Sequence, residues 1–135
     1  MKRVLCLLFI LVAVYATGAE FKEVVHKSEV LQTEKSFLIH VPEGAGPENR
    51  LPVLYILHGA YSNPKDWVTS TTVTSLVENY RMIVVLPDGS ELGWYVDSPI
   101  VKNSRYETYV SKDLVDYVDA HYPTVKDRTG RGIMG

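Results

Sequence analysis

The feature that most constrains this sequence is a pair of short, almost unbroken apolar runs, Pro52-Val53-Leu54-Tyr55-Ile56-Leu57 and Met82-Ile83-Val84-Val85-Leu86. Each stops abruptly in turn chemistry, the first at His58-Gly59 and the second at Pro87-Asp88-Gly89. Runs of this length without polar alternation suit strands buried on both faces, and such strands belong to parallel sheets covered by helices. The segment between them supplies a crossover. Asn63 is placed to cap a helix, Pro64 stands at its first position and Asp66 in its first turn. Val73, Leu76, Val77 and Tyr80 then recur at helical spacing.

The flanks extend the same alternation. Phe21 to Leu31 and Lys35 to Val41 show partial period-two patterning, and Glu43-Gly44-Ala45-Gly46-Pro47 is a turn-rich loop. Ser104 to His121 is predicted as the clearest helix. Ser104 and Glu107 have capping-box spacing, and Tyr106, Tyr109, Val110, Leu114, Tyr117 and Val118 form one apolar stripe. Pro123 bars its continuation. Thr129 to Gly135 is a short strand entering a glycine. The expected fold is α/β, with a mostly parallel sheet, right-handed crossovers and an antiparallel N-terminal edge. Ligands in such sheets bind outside the carboxyl ends of the strands. Those ends carry His58-Gly59-Ala60-Tyr61, Asp88-Gly89 and Gly135, so every candidate motif falls on one rim.

Residues 1–19 have the order of a secretory signal peptide: Lys2 and Arg3, an apolar run from Val4 to Tyr15, then Ala16-Thr17-Gly18-Ala19. The run is too short to span a bilayer as a helix. The expected product, residues 20–135, is secreted or periplasmic, with no stable membrane anchor after cleavage. It contains no cysteine, because Cys6 lies in the leader, and this excludes thiol chemistry and cysteine-based metal sites. Losing Lys2 and Arg3 takes the formal charge from −2 to −4, so there is no basic footprint for nucleic acid. Four scattered histidines without carboxylates at ligand spacing argue for no metal. A strand of core character seldom closes a domain, because it lacks ladder partners and a covering helix. Residues 20–135 are therefore expected to be the N-terminal part of one incomplete domain.

In their order and spacing, Leu57-His58-Gly59, Trp67, Leu86-Pro87-Asp88-Gly89, Gly93-Trp94-Tyr95-Val96-Asp97-Ser98, Tyr106-Glu107-Thr108-Tyr109 with Asp113-Leu114, and Arg131-Gly132-Ile133-Met134-Gly135 resemble the putative-esterase family of α/β-hydrolases. That family includes tributyrin esterases, S-formylglutathione hydrolases, feruloyl and acetyl-xylan esterases, and mycolyltransferases. The resemblance covers roughly residues 35–135. It implies an α/β-hydrolase fold interrupted at the strand before the nucleophile elbow. Gly135 would be the first glycine of Gly-x-Ser-x-Gly, and the serine, acid and histidine would follow it. What the resemblance leaves in this chain is half of an oxyanion hole, the loop Gly59-Ala60-Tyr61. Its donor would be the N–H of Ala60, with Tyr61 next, and Gly59 would let the backbone turn close to substrate.

The implied function of the complete protein is that of a secreted serine carboxylesterase acting without a cofactor on small acyl esters or acyl groups on polysaccharide. Acyl transfer to a sugar acceptor and a non-catalytic carbohydrate-binding relative are the alternatives. Trp94, Tyr95 and Asp97 are candidate substrate-binding residues, offering aromatic faces and a carboxylate. A packed loop with a solvated acid would explain them equally well. His58 is expected to be a turn residue packed beside the site rather than the catalytic base, since this fold takes its base from beyond the nucleophile. His26 and His40 are expected at the surface or a sheet edge, and His121 in a last helical turn, where positive charge is favoured. Ser62, Ser90 and Ser98 lack nucleophile context.

Overall fold

The structure is a computed structural model that describes residues 18–135. The leader expected over residues 1–19 lies outside the described residues except for Gly18 and Ala19. Five strands form one sheet: β1 (Lys22–Ser28), β2 (Thr33–His40), β3 (Val53–Ile56), β4 (Ile83–Pro87) and β5 (Arg131–Met134). Their order is β1-β2-β4-β3-β5. β2 is antiparallel to both β1 and β4, while β4, β3 and β5 are mutually parallel, so β2 alone runs against the rest. The mostly parallel sheet and its antiparallel N-terminal edge are as the sequence predicts.

Burial follows the pleat. All five residues of β4 are buried, as its continuous apolar run requires. Ile83 and Val85 enter one core together with Phe37, Ile39, Val53 and Tyr55. Val84 and Leu86 enter the other with Leu38 and Ile56. Successive side chains point to opposite faces, so one strand feeds two cores. The first core is closed by a helical segment over residues 106–121, built from α3 (Tyr106–Thr108), a π-helical turn (Tyr109–Asp113) and α4 (Leu114–His121). Tyr109, Val110, Leu114 and Val118 are its buried stripe. The second core is closed by α1 (Pro64–Ser70) and α2 (Val73–Val77), through Trp67, Val68, Val73 and Val77.

The cap of α1 forms as expected. The Asn63 side chain accepts from the Lys65 N–H at 2.9 Å, and the Asp66 carboxylate accepts from the Asn63 N–H at 3.1 Å. Three expectations need correction. The crossover segment does not make one long helix: α1 ends at Ser70, and α2 ends at Val77, before Tyr80. The chain breaks at Thr71, whose hydroxyl donates to the Trp67 carbonyl and accepts from the Val73 N–H, substituting a side chain for the helical ladder. Leu76 and Tyr80 are left exposed. The Ser104–Glu107 capping box is also absent. Ser104 is tied by its backbone to Ser98 and Val101, the helix starts at Tyr106, and Asp97 caps it from across the loop by accepting the Thr108 N–H at 2.9 Å. Third, His26 lies on the edge strand β1, as expected, but is not at the surface. It is only 6 % exposed, with its ring 5.6 Å from Phe37, 5.7 Å from Tyr109 and 4.7 Å from Tyr117.

Candidate active site

The topology singles out β3. From it the chain crosses on the α1–α2 face to β4 on one side, then returns over the opposite face, by the 106–121 helix, to β5 on the other. Crossovers that leave on opposite faces open a crevice at the carboxyl end of the strand between them. That end is Leu57-His58-Gly59-Ala60. The Leu57 N–H donates to the Met134 carbonyl at 2.7 Å, extending the β3–β5 ladder and bringing Gly135 against Leu57. A cleft of about 370 Å³ lies here, lined by Leu57, His58, Gly59, Tyr95, Ile133, Met134 and Gly135. A second, of about 160 Å³, is lined by His58, Gly59, Ala60, Ser90, Glu91, Trp94 and Tyr95.

His58 holds this rim together. The Gly89 N–H donates to its Nε2 at 3.0 Å, so Nε2 must offer a lone pair and the ring proton sits on Nδ1. Nδ1 then donates to the Gly59 carbonyl at 2.9 Å. Both ring nitrogens are used in joining the loop after β3 to the loop after β4, which is a structural task rather than that of a free base. Tyr95 adds a second tie, its hydroxyl oxygen accepting the His58 N–H at 3.2 Å. Burial pushes the Tyr95 phenol up to about 12, so it remains protonated. Gly89 has to be glycine for the same reason: a Cβ there would lie 2.3 Å from the Tyr95 ring.

The two candidate oxyanion donors separate. The Tyr61 N–H is committed to the Glu91 carbonyl at 3.0 Å. The Ala60 N–H donates to no protein acceptor among the described residues, although its neighbours on both sides are fixed. Four of the five non-glycine residues with left-handed φ among the described residues also lie at this rim: Tyr61 (59°), Ser90 (58°), Trp94 (54°) and Tyr95 (51°). Such conformations are costly for large side chains and concentrate where the surrounding structure enforces them. Tyr61 and Trp94 are thereby turned outward, 78 % and 67 % exposed, beside the smaller cleft. Asp97 stands apart. Its carboxylate is taken up by the Thr108 N–H and hydroxyl, which hold it below the usual carboxylate range, with Arg105 3.5 Å away. It does not line either cleft.

Beneath the rim runs a polar network for which the motifs give no signal. Lys35 of β2, 7 % exposed, donates from Nζ to Asp88 at 2.7 Å and to the Ser90 hydroxyl at 3.0 Å. Ser90 Oγ lies 2.7 Å from the Tyr106 hydroxyl, and the Ser90 N–H donates to Asp88 Oδ1 at 2.8 Å. The one visible clue is that Lys35 shares period-two register with the core residues Phe37 and Ile39. Among the described residues no serine hydroxyl is hydrogen-bonded to a histidine ring. Ser62 donates to Asp66 at 2.7 Å, and Ser98 accepts backbone N–H groups of its own loop.

The family model for "Putative esterase" matches residues 28–135. An esterase of Mycobacterium tuberculosis (strain H37Rv) is 31% identical over 88 residues, covering 62% of this chain and 19% of that protein. Among solved structures, an S-formylglutathione hydrolase from Agrobacterium tumefaciens superposes with a TM-score of 0.75 at 21% identity, covering 88% of this chain and 49% of the other. A ferulic acid esterase superposes with a TM-score of 0.74 at 23% identity, covering 86% and 48%. The chain thus spans about half the length of these solved structures and a fifth of the M. tuberculosis protein. With the β1-β2-β4-β3-β5 sheet, the His58–Gly59 loop at the end of β3 and a family match running from the end of β1 through β5, the chain belongs to the putative-esterase family of α/β-hydrolases.

Proposed function

We propose that the protein of which this chain is a part is a secreted serine carboxylesterase, and that these residues supply its oxyanion-hole loop. The observation that carries the reading is the Ala60 N–H: a donor held in a doubly pinned loop beside an open cleft, with no acceptor among the described residues. Acyl transfer places negative charge on a carbonyl oxygen, and a fixed backbone donor needs no reorganisation to meet it. Tyr61 is the weaker candidate because its N–H is already engaged. The nucleophile in this reading comes from chain following Gly135, next to Leu57 at the mouth of the larger cleft. Its substrates are small acyl esters or acyl groups on polysaccharide. The similar solved structures of a ferulic acid esterase and an S-formylglutathione hydrolase fit that range, and Trp94 and Tyr95 would present aromatic faces to the acyl or sugar group.

The test uses the complete protein encoded with this chain. It should hydrolyse p-nitrophenyl acetate or butyrate, and a fluorophosphonate should label a serine outside residues 18–135. A folded protein that neither turns over any ester nor takes the label would defeat the proposal.

A further inference from the structure

Lys35 lines neither cleft, yet it is a cation buried in the sheet and aimed at the turn that supports the candidate oxyanion loop. A lysine on an inward strand face is disfavoured unless its charge is met. Here it is met from three directions: the Asp88 carboxylate at 2.7 Å, the Ser90 hydroxyl at 3.0 Å and the Tyr106 ring at 5.6 Å from its centroid. An apolar side chain at such a place is often as stabilising as an ion pair, so stability alone does not account for it. What the pair does supply is direction. Asp88 and Ser90 flank Gly89, and Ser90 is held at φ 58° with its N–H on Asp88 and its hydroxyl between Lys35 and Tyr106. The turn so fixed presents the Gly89 N–H to His58 Nε2, and His58 in turn holds the Gly59 carbonyl, one peptide before Ala60.

We propose that Lys35 is a positioning residue: through Asp88 and Ser90 it holds the Asp88-Gly89-Ser90 turn against His58 and so fixes the direction of the Ala60 N–H. The inference rests on the esterase reading for its catalytic consequence, while the latch itself is a property of the fold. Lys35 has a second effect through charge. Asp88 Oδ1 lies 4.0 Å from His58 Nε2. The other groups facing the ring are Tyr95, 5.8 Å away between ring centroids, and Asp66 of α1, whose carboxylate is engaged by Ser62 and Asn63. With Lys35 in place the Asp88 charge is matched. Without it, the Asp88 carboxylate would stand unmatched beside the ring, and the turn that presents the Gly89 N–H would lose its anchor.

The test uses the complete protein and compares wild type with Lys35→Arg, Lys35→Met and Lys35→Met/Asp88→Asn by ¹⁵N NMR of the His58 ring and exchange of the Gly89 amide at pH 8. Wild type and Lys35→Arg should show the Nδ1–H form and a protected Gly89 amide. Lys35→Met should exchange Gly89 at least about ten-fold faster and lose the single Nδ1–H form. The double variant should also exchange Gly89 faster, because the anchor is gone while no lone charge remains. If Lys35→Met does not fold, the double variant, which buries no lone charge, decides the anchoring through Gly89 exchange. In the complete protein, Lys35→Met should lower kcat with little change in KM and Lys35→Arg should restore it. Unchanged Gly89 exchange and an unchanged His58 ring in folded Lys35→Met or the double variant would overturn the proposal. An inactive wild-type protein with the latch intact would count against the esterase reading and leave the Lys35 result standing.

Discussion

His26 shows how much one buried side chain can determine. Its ring packs among Phe37, Tyr109 and Tyr117, with Nε2 3.1 Å from the Tyr109 hydroxyl. Burial lowers its affinity for a proton below the ordinary value of 6.5, Asp113 partly offsets this, and His121 adds to it. The folded state then prefers the neutral ring, while the unfolded chain binds a proton more readily. Stability from this residue is present in full above about pH 6.5 and is lost as pH falls below it. The melting temperature should drop between pH 7 and 5 in wild type and flatten in His26→Gln, and identical acid slopes would contradict this. The sequence offered no warning, because β1 is mostly exposed and its alternation is partial; His26 is buried by a helix 83 residues away. Gly89 is a second residue with a sharp consequence. A methyl group in Gly89→Ala would meet the Tyr95 ring at 2.3 Å and move the tie to His58. A displacement of about 1 Å at such a site costs on the order of a hundred-fold in turnover. A Gly89→Ala enzyme with wild-type kcat would show that the ring can yield without disturbing the loop.

Among the elements, the 106–121 helix does most to join site and core. Its stripe was legible because Tyr109, Val110, Leu114 and Val118 keep helical spacing, and all four are buried. Its start was not legible. Ser104 and Glu107 have capping spacing, but the cap is given by Asp97, which arrives through loop geometry that no local pattern encodes. The same fact explains Asp97 itself: a carboxylate on a rim loop suggests substrate binding, and the structure engages it at a helix terminus. The two central strands were legible from their unbroken apolar runs, because burial on both faces leaves no other composition possible. The crossover helix was overextended because the spacing runs on to Tyr80, whereas the chain breaks at Thr71 between α1 and α2 and α2 ends at Val77. The weight of the helix can be measured. Leu114 is fully buried against the first core, and Leu114→Ala should cost about 2–5 kcal/mol in denaturant unfolding. A loss well under 1 kcal/mol would mean that the helix packs less tightly than described.

At the scale of the whole molecule, the sheet's two edges differ. Among the described residues β1 is one edge and β5, paired with β3, is the other, with Ile133 and Met134 exposed. Beside Met134, a groove of about 330 Å³ is walled by Leu54, Ile56, Trp67, Leu76, Tyr80 and Met82. Contiguous apolar surface next to an unpaired strand favours association. The 135-residue chain by itself is expected to bind a hydrophobic dye and to self-associate, and a sharp cooperative melt from a monomer would contradict that. The rim at the carboxyl ends of β3 and β4 carries the central claim, that the Ala60 N–H stabilises the oxyanion of an ester-cleaving reaction. The most direct measurement is kcat of the complete protein on p-nitrophenyl butyrate for wild type and Ala60→Pro, with thermal melts to establish that both are folded. Proline removes that N–H, and loss of one such donor lowers turnover by about a hundred- to a thousand-fold. That fall, in a variant that melts like wild type, is the predicted result; a folded Ala60→Pro enzyme with near-normal turnover would contradict it.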